Sequence, residues 1–112
     1  MQGLVSSADM VEILKAAGET TRLRLLALLA HGEFNVKDLT QILGQSQPRL
    51  SRHLKLLADA GLVQRFQEGS SVFYRFAERG PGARLMTQLL DGVNAADAVI
   101  TRDLLRAEVL KQ

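Results

Sequence analysis

The sequence predicts a mainly α-helical fold that carries one small β-hairpin, and three observations support this fold class. The chain has 112 residues, a length typical of a single domain. Hydrophobic residues make up 46% of the chain and aromatic residues only 4%, and this mixture of mostly Leu, Ala and Val favours helices over a β-sandwich. Apolar residues also recur at helical spacing, with β-branched and aromatic residues concentrated in two short runs between 62 and 76.

Three helices are predicted in the first part of the chain. The i, i+3, i+4, i+7 spacing of apolar residues predicts the first helix over 9–17. The second helix, over 22–31 with Thr20 or Thr21 as its N-cap, is apolar almost all round, which is typical of the buried centre of a small domain. A short third helix begins at Asn35, a good N-cap residue.

A longer helix and a hairpin follow the short third helix. Ser46 is the expected N-cap of the fourth helix, which ends at about Ala60. The runs 62–67 and 72–76 are rich in β-branched and aromatic residues and flank a Glu-Gly-Ser-Ser turn, so they predict two paired strands. A short helix, a tight turn, a longer helix and a hairpin make a helix-turn-helix followed by a wing.

Two further helices are predicted over 83–90 and 95–110, with Asn94 as the N-cap of the second. We therefore expect one winged-helix domain over 1–112, with its core in 9–79 and terminal helices that form a homodimer. The residues expected at the dimer interface lie on the apolar stripes of the first helix and of the last two. They are Met10, Ile13, Leu14, Ala17, Leu85, Leu89, Ile100 and Leu104.

Composition excludes several classes of protein. The chain has no cysteine and only two histidines, so it lacks disulfides and thiolate metal sites, and no cofactor is expected. Its longest apolar run, 25–30, is too short to cross a membrane, and its start lacks the pattern of a secretory signal. The expected location is the cytoplasm, with no membrane partner.

An enzyme is not expected either. The sequence has no glycine-rich phosphate loop and no evident pair of catalytic carboxylates. Ser51 and His53 are two positions apart on one predicted helix, about 200° around its axis, so they cannot form a nucleophile and base pair.

Positive charge is concentrated in the middle third of the chain. Residues 45–79 carry six basic side chains against three acidic ones, whereas the rest of the chain is close to balanced. On the fourth helix Arg49, Arg52 and Lys55 lie opposite the leucine stripe, and no acidic residue occurs between 45 and 58. Such donors suit DNA phosphates and base edges. The alternative is a module for protein–protein interaction whose basic face is incidental, and salt-dependent binding to duplex DNA separates the two.

The sequence resembles the winged-helix repressors of the ArsR/SmtB family over about residues 9–79. The most specific element is the run Ser-Gln-Pro-Arg-Leu-Ser-Arg-His-Leu that starts at Ser46. The resemblance implies a homodimer that binds double-stranded DNA, with the fourth helix in the major groove and the hairpin as the wing. The residues expected to bind DNA lie on this helix and on the wing. They are Gln47, Arg49, Ser51, Arg52, His53, Lys55, Arg65, Ser70 and Arg75.

The chain departs from the metal-sensing members of that family. Those members carry a Cys-x-Cys pair at the start of the third helix, where this sequence has Asn35 and Lys37. Neither residue replaces a thiolate ligand, since an amide binds metal poorly and an ammonium repels it. The family's other common site needs a late histidine, and none follows His53. No regulatory metal is therefore expected.

The last helices are similar to the linker helices of longer family members that are fused to a methyltransferase domain. This similarity implies a small-molecule inducer, such as a methyl-cycle metabolite, in place of a metal.

Overall fold

The structure is a computed structural model that describes residues 5–93 and 97–111. Within these ranges the chain forms six helices and three strands. In chain order they are α1 (Ser7–Ala17), α2 (Thr20–Leu29), β1 (Phe34–Asn35), α3 (Val36–Leu43), α4 (Gln47–Asp59), β2 (Val63–Glu68), β3 (Ser71–Phe76), α5 (Pro81–Val93) and α6 (Ala98–Lys111). No helix of the described residues is long and apolar enough to span a membrane.

Helix α2 lies at the centre of the core, as its sequence predicts. Leu25, Leu26, Leu28 and Leu29 are all buried, so this helix is covered on every side. A fully buried leucine side chain contributes about 1.5–3 kcal/mol to the free energy of unfolding, relative to an exposed one. Buried residues from all six helices and from the sheet join the same hydrophobic cluster.

Helices α3 and α4 form the helix-turn-helix. The side chain of Asn35 caps α3 by accepting a hydrogen bond from the backbone N–H of Asp38 at 2.8 Å, which confirms the predicted start. Gly44 ends α3 with φ of +69°, a conformation that favours glycine. In the turn, Gln45 Nε2 donates to the buried Thr21 Oγ1 at 3.0 Å and so ties the turn to α2. Ser46 is the N-cap residue of α4, although its hydroxyl makes no capping bond.

The sheet has three strands where the sequence predicted two. Strands β2 and β3 form the expected antiparallel hairpin, with Gly69 at φ of +61° in its two-residue turn. The short strand β1 adds to the far side of β3, so the order is β1-β3-β2. A two-residue strand gives no periodic signal, and only its pairing opposite Phe73 and Tyr74 defines it.

Several helix ends differ from the predicted ones because side chains outside the predicted limits act as caps. Ser6 caps α1, and its Oγ accepts from Asp9 N at 3.0 Å. Glu19 caps α2, so the prediction of Thr20 or Thr21 was wrong. Helix α5 is longer than predicted, since it begins at Pro81, and α6 begins after Asp97, whose carboxylate accepts from two backbone N–H groups. The predicted cap Asn94 lies outside the described residues.

Helix α6 packs on α2 and α3 through a buried ion pair. The guanidinium of Arg24 donates to both carboxylate oxygens of Asp103, at 2.8 and 3.0 Å, and the Asp103 side chain is only 1% exposed. This hydrogen bond to Asp103 raises the pKa of Arg24. Arg24 and Arg106 also donate to the backbone carbonyls of Leu43 and Ile42, where α3 ends. The C-terminal helix is therefore fixed to the first helix of the helix-turn-helix.

Three residues predicted at a dimer interface belong to the core of the chain itself. Ile13, Ala17 and Ile100 are buried by the chain's own helices, so their side chains are not open to a second copy. Helical spacing identifies an apolar face but not the surface that covers it. Of the other predicted residues, Leu14 is 48% exposed and Leu89 46% exposed. The rest are half-buried, namely Met10, Leu85 and Leu104.

Removing the buried carboxylate should destabilise the fold strongly. We expect Asp103→Ala to lower the free energy of unfolding by about 3–5 kcal/mol, because Arg24 would keep a mostly buried charge with no counter-charge. Urea unfolding followed by circular dichroism measures this change. The exposed Glu108→Ala on the same helix is the control and should change stability by less than about 0.5 kcal/mol.

A double variant tests the physical reason. Replacing both Arg24 and Asp103 with leucine should recover most of the lost stability, since no buried charge is then left unpaired. A loss of under about 1 kcal/mol in Asp103→Ala would contradict the importance of the pair.

Candidate nucleic-acid interface

Helix α4 presents two different faces, and its leucines fix which one is outward. Leu50, Leu54 and Leu57 are fully buried against the core. The helix therefore cannot rotate about its axis without exposing this stripe. The residues on its opposite face are exposed as a group. They are Arg49, Arg52 and Lys55, and Gln47 is exposed beside them at the start of the helix.

Two cations on this outer face have no counter-charge among the described residues. Arg49 and Arg52 take part in no ion pair there, whereas Lys55 Nζ lies 2.9 Å from Asp59 Oδ2. Both side chains of the Lys55 pair are largely exposed, so the pair is weak and the lysine can exchange partners. Gln47 Nε2 donates to Ser51 Oγ at 2.8 Å, which orders the first turn of the helix. This face offers guanidinium, ammonium and amide donors to an anionic ligand.

His53, expected among the DNA-binding residues, is instead held inside the protein. Its side chain is only 13% exposed, and its Nδ1 lies 3.1 Å from Arg22 Nη1 and 3.7 Å from Glu19 Oε2. Because a guanidinium can only donate, Nδ1 accepts this bond and the ring proton lies on Nε2. Arg22 Nε also donates to the carbonyl of Ala16 at 2.6 Å. Glu19, Arg22 and His53 thus connect α1, α2 and α4.

The same contacts shift two pKa values downward. Burial lowers the pKa of His53 below 6.5, and the charges of Arg22, Arg49 and Arg52 lower it further, although Glu19 opposes them. For Glu19, burial alone would raise the pKa, but hydrogen bonds from the backbone of Arg22 and Thr21 and the nearby positive groups outweigh it. Its pKa is therefore lowered from 4.5. Near neutral pH, the His53 ring is therefore neutral and Glu19 is a carboxylate.

The two arginines of the wing lie on opposite sides of the hairpin. Arg65 is exposed and is paired in register with the buried Tyr74, on the side that faces the helices. Arg75 is on the other side, where its Nε donates to Gln64 Oε1 at 3.0 Å and its guanidinium lies 4.9 Å from the ring centre of Phe66.

Arg75 also lies 3.5 Å from a carboxylate oxygen of Glu33, so it has partners within the fold. Ser70 is exposed in the turn at the tip of the wing. Of the three wing residues predicted to bind DNA, Arg65 and Ser70 are the ones left open to a ligand.

The side chains at the family's metal-ligand positions have other roles in this structure. Asn35 uses its side-chain oxygen to cap α3, and Lys37 is exposed. His31 Nδ1 bonds to the carbonyl of Ala27, one turn earlier, at 3.0 Å. Across residues 5–93 and 97–111, no group of three or more His, Cys, Asp or Glu side chains could hold a metal ion.

Sequence reasoning missed Glu19, Arg22 and Arg24 as structural residues. The signal was present, since charged side chains in a helix that is apolar almost all round must find polar partners. Their partners could not be read from the sequence, because His53 and Asp103 lie 31 and 79 positions away.

Comparisons with known proteins agree with this geometry. Residues 19–65 match the family model described as bacterial regulatory protein, arsR family. The chain is 39% identical over 83 residues to the biofilm growth-associated repressor of Agrobacterium fabrum, covering 74% of this chain and 70% of that repressor. It is 40% identical over 72 residues to the arsenical resistance operon repressor of Escherichia coli, covering 63% of this chain and 62% of that protein.

A solved structure supports the fold. The chain is similar to a homodimeric winged helix-turn-helix DNA-binding domain from Mycobacterium bovis, determined in solution, with a TM-score of 0.68 and 31% identity. The match covers 78% of this chain and 80% of that domain.

Acidification should weaken the fold through His53. Its pKa is lowered in the folded state, so the unfolded chain binds more protons and stability is lost as the pH falls below 6.5. Glu19, with a pKa lowered from 4.5, loses its contribution only in a more acidic range. We therefore expect the free energy of unfolding to decrease as the pH falls below 6.5, as measured by urea unfolding at several pH values.

The matched control for this pH dependence is His53→Gln, whose amide oxygen can accept from Arg22 but does not titrate. Its stability should decrease less than that of the original chain over the same pH interval. Equal slopes in the two proteins would show that His53 is not the titrating group.

Proposed function

The chain belongs to the arsR family of bacterial regulatory proteins, and we propose that it is a repressor that binds an inverted-repeat operator as a homodimer. As a member of this family it is a DNA-binding transcriptional regulator with a winged helix-turn-helix. The observation that carries the proposal is the exposed face of α4, where Arg49 and Arg52 have no counter-charge in the described structure.

In the proposed complex, α4 enters the major groove with its first turn toward the bases. Gln47 and Arg49 are in that turn, where an amide suits adenine and a guanidinium suits guanine. Arg52 and Lys55, one and two turns further on, suit phosphate oxygens. Arg65 and Ser70 of the wing suit the adjacent backbone.

His53 would act differently, as a positioning residue. Its ring is bonded to Arg22 and is mostly covered, so it holds α4 in place instead of reading a base.

The proposed dimer uses the exposed apolar residues of α1 and α5. Val11 and Leu14 on α1 and Leu89 on α5 are large apolar side chains that are each about half exposed. A two-fold dimer places two recognition helices about one DNA turn, roughly 34 Å, apart. The homodimeric domain from Mycobacterium bovis supports this assembly.

We propose that the chain forms one winged-helix domain and that a signal other than a metal ion regulates it. The family's cysteine positions hold Asn35, which caps α3, and Lys37. Neither offers a thiolate, so an inducer would be recognised by another surface. A regulator that binds the cell's DNA would act where that DNA is, so the proposed location is the cytoplasm and the proposed role is regulatory, not enzymatic.

Operator binding tests the role of α4. The double variant Arg49→Ala with Arg52→Ala should weaken binding to the DNA upstream of the protein's own gene by roughly 1–3 kcal/mol for a lost base contact. The slope of log affinity against log salt should also fall by about 1 for each lost phosphate contact. Fluorescence anisotropy at several salt concentrations measures both effects.

The control removes two exposed cations from other surfaces, Lys15→Ala with Arg84→Ala. This control should retain affinity close to that of the original chain, although its net charge falls equally. Equal weakening in the two double variants would assign binding to net charge and contradict the role of α4.

Sedimentation tests the dimer. We expect Leu14→Glu with Leu89→Glu to shift the chain from dimer to monomer, because each carboxylate would be buried without a partner. Operator affinity should then fall although α4 is unchanged, since the two half-sites no longer act together.

Gln67→Glu is the control for that variant, since Gln67 is exposed on the wing, outside every helix expected at the interface. It should remain dimeric. If the unsubstituted chain is monomeric at tens of micromolar and still binds its operator tightly, the proposed dimer is contradicted.

A further inference from the structure

A cavity of about 760 Å³ lies between α1, the end of α4 and the start of α5. Its volume falls in the range of small-molecule sites. Its apolar wall includes Val5, Ile13 and Pro81, together with Leu56 of α4. Leu56 lies off the buried leucine stripe of α4, is 44% exposed and forms part of this wall.

The charged lining of the cavity is balanced. Three carboxylates, of Asp9, Glu12 and Asp59, and three cations, of Lys15, Arg22 and Arg79, line it.

Most of these charged groups already have partners. Glu12 lies 3.7 Å from Lys15, Asp59 is paired with Lys55, and Arg22 donates to Ala16. Asp9 and Arg79 are therefore the two charged groups of the lining that have neither an ion pair nor a side-chain hydrogen bond in the described structure.

We propose that this cavity binds a small zwitterionic effector with an apolar body, from an aromatic amino acid up to a dipeptide in size. Its ammonium group would pair with Asp9, its carboxylate with Arg79, and its apolar body would cover Leu56 and Pro81. A ligand that carries both charges pairs with Asp9 and with Arg79 at once, whereas a singly charged ligand pairs with only one of them. This inference rests on the proposed function, since the effector would regulate operator binding.

The cavity is mechanically connected to the recognition helix. Leu56, Asp59 and Ala60 form the last turn of α4 and its cap. Arg22, which also lines the cavity, bonds to Ala16 of α1 and to His53 in the middle of α4. A ligand packed between α1 and the end of α4 therefore fixes one orientation of α4 relative to α1. It changes operator affinity if DNA binding prefers a different orientation.

The proposed dimer leaves the cavity open. On α1 the cavity is lined mainly by Asp9, Glu12, Ile13 and Ala16, which share one side of the helix. The exposed Leu14 of the proposed interface lies about 150° around the axis from the centre of that side. One helix can therefore contact a second copy and an effector together.

Titration calorimetry on the full chain tests the binding site. The probes are phenylalanine, tryptophan, Leu-Phe and Ala-Leu, each also in an N-acetylated form and as a methyl ester. At least one zwitterion should bind, and both blocked forms should bind about tenfold or more weakly because each lacks one charge.

Arg79→Gln and Asp9→Asn should each cause a similar loss of affinity, since both residues are exposed and can change without disturbing the core. The controls are Glu78→Gln and Arg84→Gln, exposed neighbours that do not line the cavity. These two should bind the zwitterion as the original chain does. Absence of binding by every probe, or equal binding by all four variants, would overturn the site.

Operator affinity measured with and without the zwitterion that binds tests the regulation. It should change about fivefold or more, the range of ordinary allosteric coupling, and Arg79→Gln should remove the change. Unchanged affinity in a chain that binds both ligands would overturn the regulatory role.

If the proposed repressor function is wrong, the experiments give a result that differs from the failure of the cavity site. A chain that does not bind its upstream DNA at all would disprove the repressor while calorimetry still reports on the cavity.

Discussion

Burial of Leu50, Leu54 and Leu57 against the core determines the orientation of α4, and the functional surface follows from that orientation. A helix with one apolar stripe has a single stable rotation about its axis, because any other rotation exposes leucine to water. Arg49 and Arg52 are consequently turned outward without a dedicated contact to hold them there. Their lack of counter-charges in the described structure leaves them available to an anionic partner.

Helix α2 connects this recognition helix with the rest of the fold through two arginines. Arg22 and Arg24 are two positions apart, so their side chains leave the helix in nearly opposite directions. Arg22 bonds to α1 and to His53 of α4, whereas Arg24 bonds to Asp103 of α6 and to the end of α3. The central apolar helix thus supports both helices of the helix-turn-helix with polar contacts as well as with packing.

This arrangement separates three surfaces that a regulator of this kind needs. In the proposals above, the outer face of α4 with Arg65 and Ser70 of the wing binds DNA, the exposed leucines of α1 and α5 bind a second copy, and the cavity beside α1 binds an effector. Because Arg22 contacts α1 and α4 together, a change at the cavity reaches His53 through a single side chain.

The sequence by itself determined the order of the helices and the hairpin, the two faces of α4 and the cap at Asn35, because each depends on residues within a turn or two of one another. Its composition alone showed the lack of a thiolate site. Only the tertiary structure decided that Ile13 and Ile100 belong to the core and that His53 is an internal residue. Local spacing shows that a face is apolar or that a side chain is polar. It does not show which distant surface or charge meets it, since Arg24 and Asp103, 79 positions apart, become neighbours only when the helices pack.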